Sequence, residues 1–238
     1  VTKNPEKKGW VDAMGLRAFT LFKERKMAIF FIFSMLLGVS LQITNAFAND
    51  YLTNHFGGIA AYQGTFGVEH ANILISISQA SETLCILLIP FFLKRFGIKT
   101  VMLISMAAWV LRFGLLGTGN PGDGVWMLIL SMLVYGVAFD FFNISGSLYV
   151  NQQTSPTIRS SAQGVFMIMT NGCGATIGTL SAMAVVNHFV PAGLSPAEQL
   201  EGWRTCWYIF AGYALLVGIL FFLIFKDNTK GHAIEPAL

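Results

Sequence analysis

Six runs of the chain are each long and apolar enough to cross a lipid bilayer, which needs about 20 largely apolar residues per helical span. They cover approximately residues 28–51, 68–93, 100–118, 125–150, 162–190 and 205–225. Between them stand Gly57-Gly58, Lys94-Arg95-Phe96-Gly97, Gly119-Asn120-Pro121-Gly122, Ser155-Pro156 and Pro191 to Pro196, the usual punctuation of loops. With only 11% charged residues against about 25% in soluble domains, the chain reads as an integral membrane protein. In hydrocarbon an open sheet cannot satisfy its backbone, so runs of this length predict an all-α bundle of six transmembrane helices.

The basic residues give the orientation. Lys3, Lys7, Lys8, Arg17, Lys23, Arg25 and Lys26 precede the first span; Lys94, Arg95 and Lys99 follow the second; Arg159 follows the fourth; Lys226 and Lys230 follow the sixth. Thirteen of the fifteen Lys and Arg thus fall on one side, which the positive-inside rule makes cytoplasmic, and both termini with it. The division expected is a cytoplasmic segment 1–27, a six-helix bundle 28–225 and a cytoplasmic tail 226–238. Within the first segment Trp10, Met14, Ala18, Leu21 and Phe22 share one helical face, with Arg17, Lys23 and Lys26 away from it, as in a helix lying on a membrane surface. The opening Val1 and its polar, basic continuation are expected of a chain joined to a longer one.

Within the apolar runs, polar side chains recur at i, i+3, a spacing that puts both on one helix face. Gln42 and Asn45 form such a pair in the first span, Gln79 and Glu82 in the second, Asp140 and Asn143 in the fourth. The amides on their own serve equally as glue between helices. Glu82 and Asp140 are different, because ionisable groups at membrane depth are costly and mark functional sites. They are candidates for binding a polar solute and for loading and releasing a proton as their surroundings alternate between wet and dry. Tyr135, Phe139, Phe141 and Phe142 flank Asp140 with rings suited to stacking on a planar base or a sugar face.

Other features carry less. Arg112, about one and a half turns from the outer end of its span, is expected to snorkel to the interface, with a carboxylate partner as the second reading. Cys85, Cys173 and Cys206 lie in apolar runs without metal-ligand spacing, and no metal or organic cofactor is expected. Gly172-Cys-Gly174-Ala-Thr-Ile-Gly178 has one residue too many for a dinucleotide fingerprint; Gly174-x-x-x-Gly178 reads instead as a face for close helix packing. The small net charge of +3 gives no case for nucleic acid. Ser145 on the fourth span invites comparison with six-helix intramembrane serine proteases, but the Gly required two residues earlier is Asn143 and the sixth span has no His.

Pro90-Phe-Phe-Leu-Lys-Arg-Phe-Gly-Ile-Lys99 resembles the loop motif of major facilitator transporters, keeping Arg95, Gly97 and Lys99. The longer strings MAIFFIFSMLLG, LQITN, SISQ-x-SET, PFFL-x-R-x-GIK, FDFFNISGS and SAQG-x-F-x-x-MTNG resemble, in the same order, the second half of the bacterial nucleoside–proton symporters of that superfamily. The resemblance implies the C-terminal half of a twelve-helix fold, a 3+3 inverted repeat whose missing N-terminal six-helix half closes the cavity. It implies symport of a nucleoside such as uridine or adenosine across a bacterial inner membrane, with the proton as coupling ion. It also implies substrate-binding roles for Gln42, Asn45, Gln79, Glu82, Tyr135, Phe139 and Asp140; Asn143 joins them by spacing alone. A permease for another polar solute, such as a sugar, is the alternative.

Overall fold

The computed structural model describes residues 16–226. Trp10, Met14 and the first three lysines lie outside them, as do Lys230 and most of the expected tail. The described chain is all-helical apart from turns and loops, and five of its helices are long and apolar enough to cross a membrane: α1 Arg25–His55, α2 Ala71–Thr118, α3 Val125–Gln153, α4 Arg159–Phe189 and α5 Pro196–Ile224. A 3-10 helix, Leu16–Lys23, precedes α1; it buries Ala18 and Leu21, while Arg17 and Lys23 stay exposed.

α2 is the departure from six separate runs. Its 48 residues would extend ~72 Å, more than twice the thickness of a hydrocarbon core. Gly97, at φ 76° and ψ 168°, breaks it into two helices, just after Lys94 and Arg95 and just before Lys99. A positive φ is open to glycine at little cost, and this is where the chain uses one. Lys99 then donates to the carbonyl of Phe222 at 3.1 Å, which ties this junction to the last turn of α5. At its other end α5 opens with Pro196 in its first turn and a capping box: Ser195 accepts from the Glu198 N–H, and the Glu198 carboxylate accepts from the Ser195 N–H at 2.9 Å.

Rings and hydroxyls connect the helices. Phe30 of α1 packs on Phe142 and Tyr149 of α3, on Phe166 of α4 and on Phe225 just beyond α5. At the opposite end Tyr51 packs on Trp203 and Trp207 of α5 and donates to the Leu116 carbonyl of α2 at 3.2 Å. Tyr213 of α5 donates to the Leu36 carbonyl of α1 at 2.8 Å, and Ser81 of α2 donates to the Leu133 carbonyl of α3. On the outside Leu84, Leu87 and Phe91 of α2 and Leu215, Leu216, Phe222 and Leu223 of α5 are exposed, an apolar surface far beyond what a water-facing protein carries and the one a bilayer solvates.

α1 and α4 cross closely. A Cβ on Gly38 would overlap the Thr170 carbonyl, one on Gly174 the Met35 carbonyl, and one on Gly178 would lie 2.9 Å from the Val39 carbonyl. Small residues at such a crossing let backbones touch where no hydrophobic effect draws helices together. At that crossing α4 widens into a π-helical segment, Ile168–Gly174. Replacing Gly38 by Ala is expected to lower thermal stability in detergent by about 1–3 kcal/mol, the usual cost of overpacking. Gly212→Ala on α5, where a Cβ meets nothing within 4 Å, is the matched control and should leave the melting temperature unchanged or higher.

Candidate functional site

The close α1–α4 crossing forms one side of a cleft that side chains of four helices line. Leu37, Gly38 and Leu41 of α1 line it, with Trp109 of α2, Ala138, Phe139, Phe142 and Asn143 of α3, and Thr170 and Asn171 of α4. It is largely apolar and aromatic with a few polar groups, the make-up of small-molecule sites. Thr170 and Asn171 belong to the π-helical segment, so the irregular backbone of α4 presents the cleft with its polar side. The Thr170 hydroxyl donates its proton to the Phe166 carbonyl at 3.0 Å, which leaves its oxygen only as an acceptor and the amides of Asn143 and Asn171 as the donors facing the cleft.

Behind the aromatic wall lies a charged group. The Tyr135 ring stacks on Phe139 with centroids 6.0 Å apart and planes 11° from parallel, and stands edge-on to Trp109 at 6.0 Å. The Arg112 guanidinium carbon also lies over that ring, 4.6 Å from its centroid. Arg112 interacts electrostatically with Glu82 and Tyr135, and Glu82 in turn with Asp140. Asp140 is 4% exposed, and its Oδ2 is buried without a hydrogen-bond partner among the described residues. A buried carboxylate oxygen without a donor is rare in a structural role, because such an oxygen costs more unpaired than a hydrogen bond returns.

The residues singled out from sequence therefore divide into groups. Phe139 and Asn143 line the cleft, and Tyr135 backs it. Glu82, half-buried, and Asp140 do not line the cleft but interact electrostatically with each other and with Tyr135. Gln42 is half-buried and packs its Cβ toward Gly178, whereas Asn45 and Gln79 are exposed; none of these three lines the cleft. Trp109, Thr170 and Asn171 were not anticipated, although the last two lie in the string MTNG.

Arg112 requires a correction. It does not snorkel: it is 2% exposed, donates through Nη1 to the Ser131 carbonyl at 2.7 Å and through Nε to Thr44 Oγ1 at 3.2 Å. Acceptors on α3 and α1 and the Tyr135 face give the guanidinium a solvated place inside the bundle, so it has no need of the interface. Nor does a carboxylate lie within ion-pair distance of it among the described residues; Glu82 acts on it from further away. Ser145, the residue that raised the protease comparison, is fully buried and turns its hydroxyl back to the Phe141 and Phe142 carbonyls of its own helix.

Helices of spanning length around a cleft, with two carboxylates and an arginine along them, define an integral membrane protein. The chain belongs to the nucleoside H+ symporter family, whose sequence model matches residues 2–230. It is 51% identical over 227 residues to the nucleoside permease NupG of Escherichia coli (strain K12), covering 95% of this chain and 53% of that protein. To the xanthosine permease of the same organism it is 51% identical over 223 residues, covering 93% of this chain and 52% of the relative. A crystal structure of a mutant of the nucleoside transporter NupG superposes with a TM-score of 0.85 at 50% identity, over 94% of this chain and 54% of that one. The chain thus spans about half the length of the curated relatives it matches. These relatives are permeases, not enzymes, which ends the protease alternative.

If Asp140 is kept for function at the expense of stability, Asp140→Asn should raise the melting temperature in detergent at alkaline pH, where the carboxylate is charged. The gain corresponds to about 1–3 kcal/mol, the desolvation cost of an unsatisfied buried group. A lower melting temperature would make Asp140 a structural group instead.

Proposed function

We propose that this chain is the carboxyl-terminal half of a proton-coupled nucleoside transporter working by alternating access. The break at Gly97 makes α2 two spans and the total six, which supports a 3+3 inverted repeat with both termini on the cytoplasmic side of a bacterial inner membrane. In that arrangement a second six-helix half faces the cleft, and the exposed amides of Asn45 and Gln79 are available to a substrate held between the halves.

The observation that carries the proposal is an aromatic cleft together with two electrostatically coupled acids, buried Asp140 and half-buried Glu82, in a chain of the nucleoside H+ symporter family. Phe139, backed by Tyr135, offers a stacking face to the base or ribose, and Asn143 and the neighbouring amides offer donors and acceptors to its ring atoms and hydroxyls. Glu82 and Asp140 take up the proton. Both acids act electrostatically on Tyr135, whose ring stacks on Phe139, so proton binding and substrate binding bear on the same few side chains.

Uptake of radiolabelled uridine by vesicles containing the complete twelve-span protein tests this reading. A pH gradient, acid outside, should raise initial uptake several-fold. Asp140→Asn and Glu82→Gln should each abolish the dependence on the gradient; full gradient-driven uptake in both variants would overturn the assignment of the proton.

A further inference from the structure

Arg112 is the most buried charge among the described residues that the proposed mechanism leaves without a task. Its anchors come from two different helices. Nε bonds Thr44 of α1 at 3.2 Å, and Nη1 bonds the Ser131 carbonyl of α3 at 2.7 Å and approaches Met132 Sδ at 3.7 Å. Ser131 Oγ returns a bond to the Arg112 carbonyl at 3.2 Å, so the backbones of α2 and α3 are pinned at this level as well. The guanidinium is fixed by these bonds and lies over the Tyr135 ring at 4.6 Å. Tyr135 in turn touches Trp109 edge-on and Phe139 face-on, and both of those line the cleft.

We propose that Arg112 is a positioning residue of the cleft: anchored on Thr44 and Ser131, its guanidinium holds the Tyr135 ring and through it sets the aromatic wall formed by Trp109 and Phe139. The planar fork is what the task needs. A guanidinium can stack on a ring with its flat face while its edge donates in fixed directions, and it keeps its charge at any physiological pH; an ammonium on a flexible stem does neither the stacking nor the directing. The inference rests on the transporter reading for what the wall contacts, but the Arg112–Tyr135 contact stands on geometry alone.

The test is a double-mutant cycle in the complete twelve-span protein, with Arg112→Lys, Arg112→Gln, Tyr135→Leu and the two combinations. Two quantities are read: KM and maximal rate for uridine uptake, and the melting temperature in detergent. Arg112→Gln should raise KM about tenfold with a smaller change in maximal rate, the loss expected when a desolvated cation–π contact goes. Arg112→Lys should fail to restore KM, and each Arg112 change should add little once Tyr135 is Leu, in uptake and in melting alike. Restoration of the wild-type KM by Lys would overturn the proposal, because charge alone would then suffice. Additive effects of Arg112→Gln and Tyr135→Leu would overturn it too. Wild-type protein that carries neither uridine nor adenosine nor xanthosine would defeat the transporter reading instead, and the melting cycle would still decide whether Arg112 holds Tyr135.

Discussion

No water reaches the hydrocarbon core of a bilayer, so every backbone N–H and carbonyl there must find its partner within the protein. The architecture follows from that constraint. It accounts for five long helices with only short connections, and for the outward Leu and Phe of α2 and α5. It also sends polar side chains inward. Ser34, Thr170 and Ser145 return their hydroxyls to carbonyls one turn back in their own helices, and Ser81 and Ser105 reach carbonyls of α3. Among the described residues the buried side-chain atoms left without a partner are nitrogens of Arg159, Trp203, Arg204 and Trp207 and one oxygen, Asp140 Oδ2.

The same constraint says where the backbone can be irregular. Within α4 the π-helical segment Ile168–Gly174 loosens the regular bonding pattern, and it does so against α1, where Gly38 lets the Thr170 carbonyl come close. Non-standard helical backbone at membrane depth is tolerated where protein or a cavity shelters it, and this segment has both, α1 on one side and the cleft on another. The irregularity and the site coincide because the bulge is what brings Thr170 and Asn171 to the cleft.

Much of this was legible in the sequence, for reasons that differ from residue to residue. The spans were legible because length and apolarity alone decide them, and even the break in α2 was announced by Lys94-Arg95-Phe96-Gly97. The grouping of Glu82 with Asp140 followed from the cost of carboxylates at depth. The π-helical segment was not legible: Gly172 and Gly174 weaken the helical preference of Ile168–Gly174, but a weakened preference does not say that the turn widens rather than kinks or ends, and that is settled only where Gly38 packs against it. Arg112 was misjudged for a related reason. Position along a span gives depth but not direction, and the acceptor that draws Arg112 inward, Thr44, is 68 residues away. Gln42, Asn45 and Gln79 show the limit of pair spacing: i, i+3 puts two residues on one face without saying what that face meets.

Charge counting links the corrected arginine to the acids. Arginine stays protonated even when buried, so Arg112 contributes one fixed positive charge to the group behind the wall. Glu82 and Asp140 contribute two negative charges when both are ionised, so the group is neutral with one proton bound and carries a single negative charge with none. Without Arg112 the same two states would carry one and two negative charges, and the second is far more costly in a medium that solvates ions poorly. A fixed cation at this place therefore keeps both protonation states within one unit of neutrality. For the proposed proton exchange, that is the condition under which two acids at membrane depth pass between states without either being prohibitively expensive, and it requires the arginine to be inside the bundle.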